Sequence, residues 1–250
     1  MKMGLSIKIR IARFLTKPIW GKIVKKLNLK SSLFLDPYDF SLVSDSEAAS
    51  IFFGIWESGE LRFVKKYINN RSGTIIELGS SVGVLVSALS KRLNNHNFYL
   101  VEASPINFSI LEKVVTHLGG DNNFSIINKA VAYNTEAVLF DHVGTISSSI
   151  YNSGKCKNSA YITTISLSSI VSKIINENGM SPNGFTLISD IEGAEGEIFL
   201  NDIDSLSLCK TIITELEETD AFSKSVQINM LETYGFRVQE SYDNVYVFVK

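Results

Sequence analysis

Two acids and two glycines stand at spacings that fit a ligand seated on the rim of a β-sheet. Glu77 lies in the β-branched run TIIEL, and Gly79 and Gly83 follow it four residues apart, ahead of a helical pattern. Glu102 closes a second apolar run, NFYLVE, 23 residues beyond Gly79. In sheets covered by helices, ligands bind outside the carboxyl ends of the strands. A glycine at such an end lets a ligand approach the backbone, because it has no Cβ. An acid at the end of the second strand accepts the two ribose hydroxyls of a nucleoside. The G-x-x-x-G spacing is neither the dinucleotide G-x-G-x-x-G nor a phosphate loop, since no G-K-[ST] follows. Glu77 would repel a pyrophosphate and suits a cationic ligand. S-adenosylmethionine, which carries an ammonium and a sulfonium but no phosphate, meets these demands. A nicotinamide dinucleotide does not.

The elements that must carry these residues alternate along the chain. Strand patterns cover Thr74–Leu78, Asn97–Glu102, Phe124–Asn128, Phe185–Asp190, Thr211–Glu215, and a final pair near Phe236–Glu240 and Val245–Val249. Helical patterns cover Val84–Leu93, Ile106–Leu118, Leu167–Asn176, Ala194–Leu200 and Ser223–Tyr234. Regular alternation predicts a doubly wound α/β fold, a mostly parallel sheet with helices on both faces. The last two strands, joined by SYDN, read as a hairpin, which predicts an antiparallel edge strand. Residues 131–166 are rich in Ser, Asn and Thr and read as an insertion. Residues 71–250 thus form the main domain. Residues 31–70 form a helical extension with a break expected at Gly59.

Several stretches, in order, resemble the FkbM family of S-adenosylmethionine-dependent methyltransferases. IIELGSSVGVLVSALSKRL is similar to the family's cofactor turn, FYLVEASPINFSILEKVV to its ribose-acid segment, and INKAVAYN to the segment beside the adenine. GTISSSI resembles its serine-rich loop, and LISDIEGAEGEIF resembles its most distinctive signature, lysine-x-Asp-x-Glu-Gly-x-Glu. TIITELEE resembles the strand that follows. The family's lysine falls on Ile188, its usual Asp on Glu77, and its Ala-Asn on Ser80 and Ser81. The resemblance covers about residues 55–249. It implies a Rossmann-like class I methyltransferase sheet and methyl transfer to a hydroxyl of a sugar or another small molecule. It also implies cofactor contacts from Glu77, Gly79, Ser80, Ser81, Gly83, Glu102, Ala103, Asn128, Ala130 and Asp190.

A hydroxyl acceptor must lose a proton, so a base beside the methyl group helps. Asp190 is the candidate, with Glu192 and Glu195 beside it raising its proton affinity. His142 is a second candidate base, and Ser147, Ser148 and Ser149 are candidate partners for a polar acceptor. A competing reading gives Asp190, Glu192 and Glu215 to a divalent metal; the preferred reading uses none. Glu195 also has the simpler reading of an acid in the first turn of a helix.

Charge is distributed unevenly. Residues 1–30 carry nine Lys/Arg and no Asp or Glu, leaving 15 basic against 26 acidic residues in the rest of the chain. An acidic body excludes nucleic acid as a partner, because phosphate affinity comes from neutralising Lys and Arg. In the basic arm, Trp20, Ile23, Val24 and Leu27 share one helical face, and Lys22, Lys25 and Lys26 lie largely opposite. That pattern fits either a helix on an anionic membrane surface or one packed on the body. No apolar run reaches bilayer length, and Lys8, Arg10 and Arg13 interrupt what would be a signal-peptide core. Cys156 and Cys209 lack metal or disulfide spacing, which fits a reducing, cytoplasmic setting.

Overall fold

The computed structural model describes residues 10–29, 39–68, 73–141, 159–178 and 184–250. The first strands are β1 (Thr74–Leu78), β2 (Asn97–Val101), β3 (Asn123–Ile127), β4 (Ala130–Val131), β5 (Ala137–Asp141) and β6 (Ser159–Ile165). After them come β7 (Phe185–Ser189), β8 (Cys209–Glu215), β9 (Arg237–Tyr242) and β10 (Val245–Val249). Seven of these make the central sheet, in the order β3-β2-β1-β7-β8-β10-β9. The order reverses between β1 and β7, which places the switch point beside Leu78 and Ser189.

β1, β2, β3, β7 and β8 pair in parallel. Every residue of β1 is buried, as expected of a strand covered on both faces. The antiparallel element falls at the expected end of the sheet. There β10 pairs antiparallel with both β8 and β9, so it seats one position inside the outermost strand.

Helices α1 (Pro18–Lys26), α2 (Asp45–Phe52), α3 (Ser58–Tyr67) and α4 (Val84–Ser90) precede α5 (Pro105–His117) and α6 (Leu167–Asn178). Short helices α7 (Glu195–Asn201) and α8 (Ile203–Ser207), and then α9 (Lys224–Thr233), follow. On one sheet face Phe63 and Val64 of α3 and Leu85 and Leu89 of α4 pack with Ile75, Ile188 and Ile213. On the other, Ile170, Ile198, Phe199 and Leu231 pack with Ile76, Leu187 and Ile212. The two layers make a doubly wound, Rossmann-like sheet.

One feature of the helical extension differs from the sequence expectation. Gly59 does not break the helical extension. It lies inside α3, where a Cβ would come within 2.8 Å of Val245 Cγ2, so it is a close-packing residue. The break falls at residues 53–57 instead, ended by Glu57 in the left-handed conformation. A capping box between Ser44 and Glu47 starts the preceding helix. The insertion's strand-like pieces AVLFD and YITTI form β5 and most of β6 of a small sheet, β4-β6-β5, in which Phe140 and Ile162 pack with Ala130 beside Ala103.

The arm docks through a glycine. A Cβ on Gly21 would meet the Asp45 carbonyl oxygen at 1.7 Å, and Lys25 Nζ reaches Val43 O at 2.5 Å and Asp45 Oδ1 at 3.0 Å. Trp20 and Val24 therefore turn toward the body, while Ile23 and Leu27 are exposed. The single apolar face expected from the sequence is split between the two environments. Among the described residues no helix is long and apolar enough to cross a membrane.

Candidate active site

The carboxyl ends of the parallel strands are tied together by backbone hydrogen bonds. Gly79 and Ser80 N–H groups donate to Val101 O at 2.9 Å, Glu102 N–H to Ile127 O at 3.1 Å, and Asp190 N–H to Leu78 O at 3.0 Å. A cavity of about 490 Å³ opens above these ends, within the usual size range of small-molecule sites.

Of the residues expected from the sequence, Gly79, Ser81, Glu102, Ala103, Ala130, Asp190 and Glu192 line this cavity. Glu102 sits on its wall with both oxygens engaged: Oε2 accepts from Ser81 N–H at 2.8 Å and Oε1 from Ser104 N–H at 2.7 Å. It therefore ties the first turn to the second strand end, and its remaining lone pairs are open to ribose hydroxyls. Asn128 acts one step behind. Its Nδ2 donates to Glu102 O at 2.8 Å and Ala103 O at 3.2 Å, fixing the backbone that carries the acid.

Other expected residues serve the site from beneath. Glu77 is 1% exposed and is not on the cavity wall. Its Oε2 is buried with no hydrogen-bond partner. Ser80 is buried, with its hydroxyl on Glu77 O. Gly79, on the wall, also has a packing role: its missing Cβ makes room for protein. A Cβ there would lie 1.9 Å from the Asp190 carbonyl oxygen, so the glycine lets the chain leaving β1 pass close to the chain leaving β7. Gly83 fits against α5, where a Cβ would meet Leu111 and Val114 at 3.1 Å. Glu195 accepts from Ile191 N–H at 2.8 Å and Gly193 N–H at 3.0 Å. Its buried carboxylate holds the turn after Asp190 and does not line the cavity. His142, Ser147, Ser148 and Ser149 lie outside the described residues.

Much of the wall was not legible in the sequence. Trp56, Glu57 and Glu60 come from the entry to α3, Lys129 from the β3–β4 turn, Phe140 from the insertion, and Tyr242 to Val245 from the final hairpin. Trp56 Nε1–H donates to Glu57 Oε1 at 3.0 Å, while Glu57 Oε2 is buried without a partner. Glu60, Asp190 and Glu215 bring carboxylate oxygens within 4.8 Å of one another. Among the described residues these three could hold a divalent cation, with Glu60 standing where the sequence reading has Glu192.

Backbone strain marks the same wall. Seven described non-glycine residues have positive φ. Four are Asn or Asp, which tolerate that region. The other three, Glu57, Ser81 and Glu192, all line the cavity. Each costs roughly 1–3 kcal/mol and persists only where the surroundings impose it, as at functional sites.

Electrostatically the cavity is a cluster of acids. Burial pushes Asp190 from its ordinary 3.8 up to about 8, with the charges of Glu215, Glu60, Glu192 and Glu195 adding to the effect. Burial and then the Glu102 charge push Glu77 from 4.5 up to about 8. Burial lifts Glu102 to about 7 against the pull of the Ser104 and Ser81 amides. Glu57 and Glu60 are raised as well, again chiefly by burial. Each of these acids holds its proton more tightly folded than unfolded. The native state therefore carries extra protons between the ordinary carboxylate range and about pH 8, and stability falls as pH rises through that window. The unliganded protein is expected to show a falling thermal midpoint from about pH 5 to about pH 8. A scanning-calorimetry pH series checks this, and a midpoint that rises over the window would contradict the buried-acid arrangement.

No family model matches the sequence, and no curated protein matches it. Solved structures give distant likenesses. Fibrillarin of Aeropyrum pernix, crystallised with S-adenosyl-L-methionine, aligns at 13% identity and TM-score 0.41, over 71% of this chain and 65% of that one. The present chain thus spans just under two thirds of that protein. A precorrin-6y C5,15-methyltransferase from Geobacter metallireducens aligns at 14% identity and TM-score 0.43, over 76% and 86%. A SAM-dependent methyltransferase from Aquifex aeolicus aligns at 12% and 0.39, over 79% and 93%. Likenesses this distant carry no argument about activity, which rests on the site itself.

Proposed function

We propose that the protein is an S-adenosylmethionine-dependent methyltransferase that methylates a hydroxyl of a small molecule or glycan in the cytoplasm. The observation that carries this reading is Glu102. It stands at the second strand end, on the wall of an acidic cavity, joined to the Gly79–Ser81 turn. Carboxylates at the cavity and beneath it disfavour a pyrophosphate and favour a cationic nucleoside. The order of stretches that resembles the FkbM family supports the same reading.

When bound, S-adenosylmethionine supplies a methyl group on a sulfonium that is already a leaving group. The chain's own residues then have three tasks. Glu102 accepts the ribose hydroxyls, with Asn128 keeping its backbone in place. Val131, Phe140 and Ile191 supply an apolar part of the wall and limit water. Asp190, held at the end of β7 with a raised proton affinity, takes the proton from the acceptor hydroxyl. Holding acceptor and donor in line supplies much of the acceleration.

Calorimetric titration with S-adenosylhomocysteine tests the cofactor assignment. Binding is expected for the intact protein, and Glu102→Ala is expected to weaken it by about 1–3 kcal/mol, the scale of hydrogen bonds to a charged group. No binding by the intact protein would end the proposal.

A second reading, a cofactor-fold binding module without transfer activity, draws on Ile188. The resemblance has a lysine there, whereas this side chain is 1% exposed and packed in the core. Cofactor binding without transfer from tritiated S-adenosylmethionine to any of a panel of sugars would favour it. A nicotinamide enzyme is disfavoured by the glycine spacing and by the acids.

A further inference from the structure

No described residue of the basic arm lines the cavity. Its two sides differ sharply. The inward side is docked, through Gly21, Val24 and Lys25. The outward side presents large apolar residues to solvent. Ile19 is 61% exposed, Leu27 61%, and Ile23 between them 37%. These three recur every fourth residue and so form one stripe along α1 and its C-cap, Leu27. The stripe continues onto neighbouring elements. Ile11 and Phe14, in the helical stretch before Pro18, are about half exposed. Phe14 lies 5.5 Å from the Trp20 ring, and Trp20 lies 6.4 Å from Phe53, itself partly exposed.

A contiguous apolar surface rimmed by polar groups marks an interaction site. Here the rim has one sign. Arg10, Arg13, Lys17, Lys22 and Lys26 are exposed, and residues 10–29 contain no acid. Large aliphatic residues and two Phe, flanked by Lys and Arg, make up the composition of helices that lie in a membrane interface. We infer that this face of the arm docks on an anionic lipid bilayer surface. Phospholipid headgroups meet the lysines and arginines, and Ile19, Ile23, Leu27 and Phe14 enter the boundary between headgroups and acyl chains. The acidic body, 15 basic against 26 acidic residues beyond residue 30, is repelled by the same surface, so the arm alone makes the contact. The docked face adjoins the cavity wall through α2 and its exit: Phe53 belongs to the former, and Ser50 and Trp56 to the latter. An acceptor carried by the membrane would therefore be presented near the cavity.

Co-sedimentation of the full chain with phosphatidylglycerol–phosphatidylcholine vesicles, and with phosphatidylcholine alone, tests the inference. Binding to the anionic vesicles is expected to exceed binding to the neutral ones by at least about tenfold and to weaken with salt. The triple variant Ile19→Ser, Ile23→Ser, Leu27→Ser and the double variant Lys22→Glu, Lys26→Glu should each lose about tenfold in partitioning. Because the changed side chains are exposed, the unfolding midpoint should stay the same. Equal binding to neutral vesicles, undiminished binding by both variants, or no binding by the intact chain would each overturn it. A dimer seen by light scattering that the triple variant dissolves would also overturn it, by showing that a second copy covers the face. None of these readouts depends on cofactor binding, so the inference fails or stands apart from the proposed activity.

Discussion

Gly79→Ala is expected to abolish measurable S-adenosylhomocysteine binding and to lower the unfolding free energy by about 2–4 kcal/mol. Two effects combine. The residue has φ +83°, where a Cβ is strained whatever its surroundings. The new Cβ would also sit 1.9 Å from the Asp190 carbonyl oxygen and 2.9 Å from its carbon. Both are backbone atoms, so no rotamer change relieves the contact. Relief requires the ends of β1 and β7 to separate, which moves Asp190 and the Ser81 amide that Glu102 accepts. Gly235→Ala isolates the first effect. It has φ +86° with nothing within 4 Å of the added Cβ, and should cost only about 1 kcal/mol. Chemical denaturation of the two variants measures the difference. Equal, small losses for both would show that the strand ends do not need this close approach.

The second large effect is at Asp190. Asp190→Asn is expected to cut methyl transfer by about a hundredfold or more, the range lost with a general base, as followed with tritiated S-adenosylmethionine and a panel of sugars and hydroxylated small molecules. The same change should raise the unfolding midpoint at pH 8 and above. It removes a buried charge whose proton affinity burial and four neighbouring acids have raised. Opposite movements of activity and stability are the signature of a group held in an unfavourable state for use. A variant that kept transfer within a few fold, or that lost stability at high pH, would place the base elsewhere.

The sequence showed the sheet and the middle of the site for a common reason. Strand ends are marked by where an apolar run stops, and Gly79, Glu102 and Asp190 each stand at or just past such a stop. Local pattern is enough to place them. Glu57, Glu60, Phe140 and Tyr242 reach the cavity from segments far away in the chain, and nothing in their immediate neighbours signals the meeting. Glu195 shows a different limit. Its position in the signature suggested chemistry, but a carboxylate there is engaged by the Ile191 and Gly193 amides. The arm illustrates a third limit. Periodicity identified an apolar face, but it could not say which part of a wide face turns inward. Gly21, by letting α1 approach Asp45, decides that Trp20 and Val24 go in and that Ile19, Ile23 and Leu27 stay out. Helix α8 is a single short turn-like element, too brief to carry a period.

The central claim is that the strand-end cavity grips a positively charged nucleoside through Glu102. A crystal structure of the protein with S-adenosylhomocysteine examines it most directly. The account predicts the ribose hydroxyls within hydrogen-bonding distance of Glu102, with the amino-acid end of the ligand over the Gly79–Ser81 turn. Ligand density away from Glu102, or a ribose held by other groups while Glu102 keeps only its two amides, would contradict it.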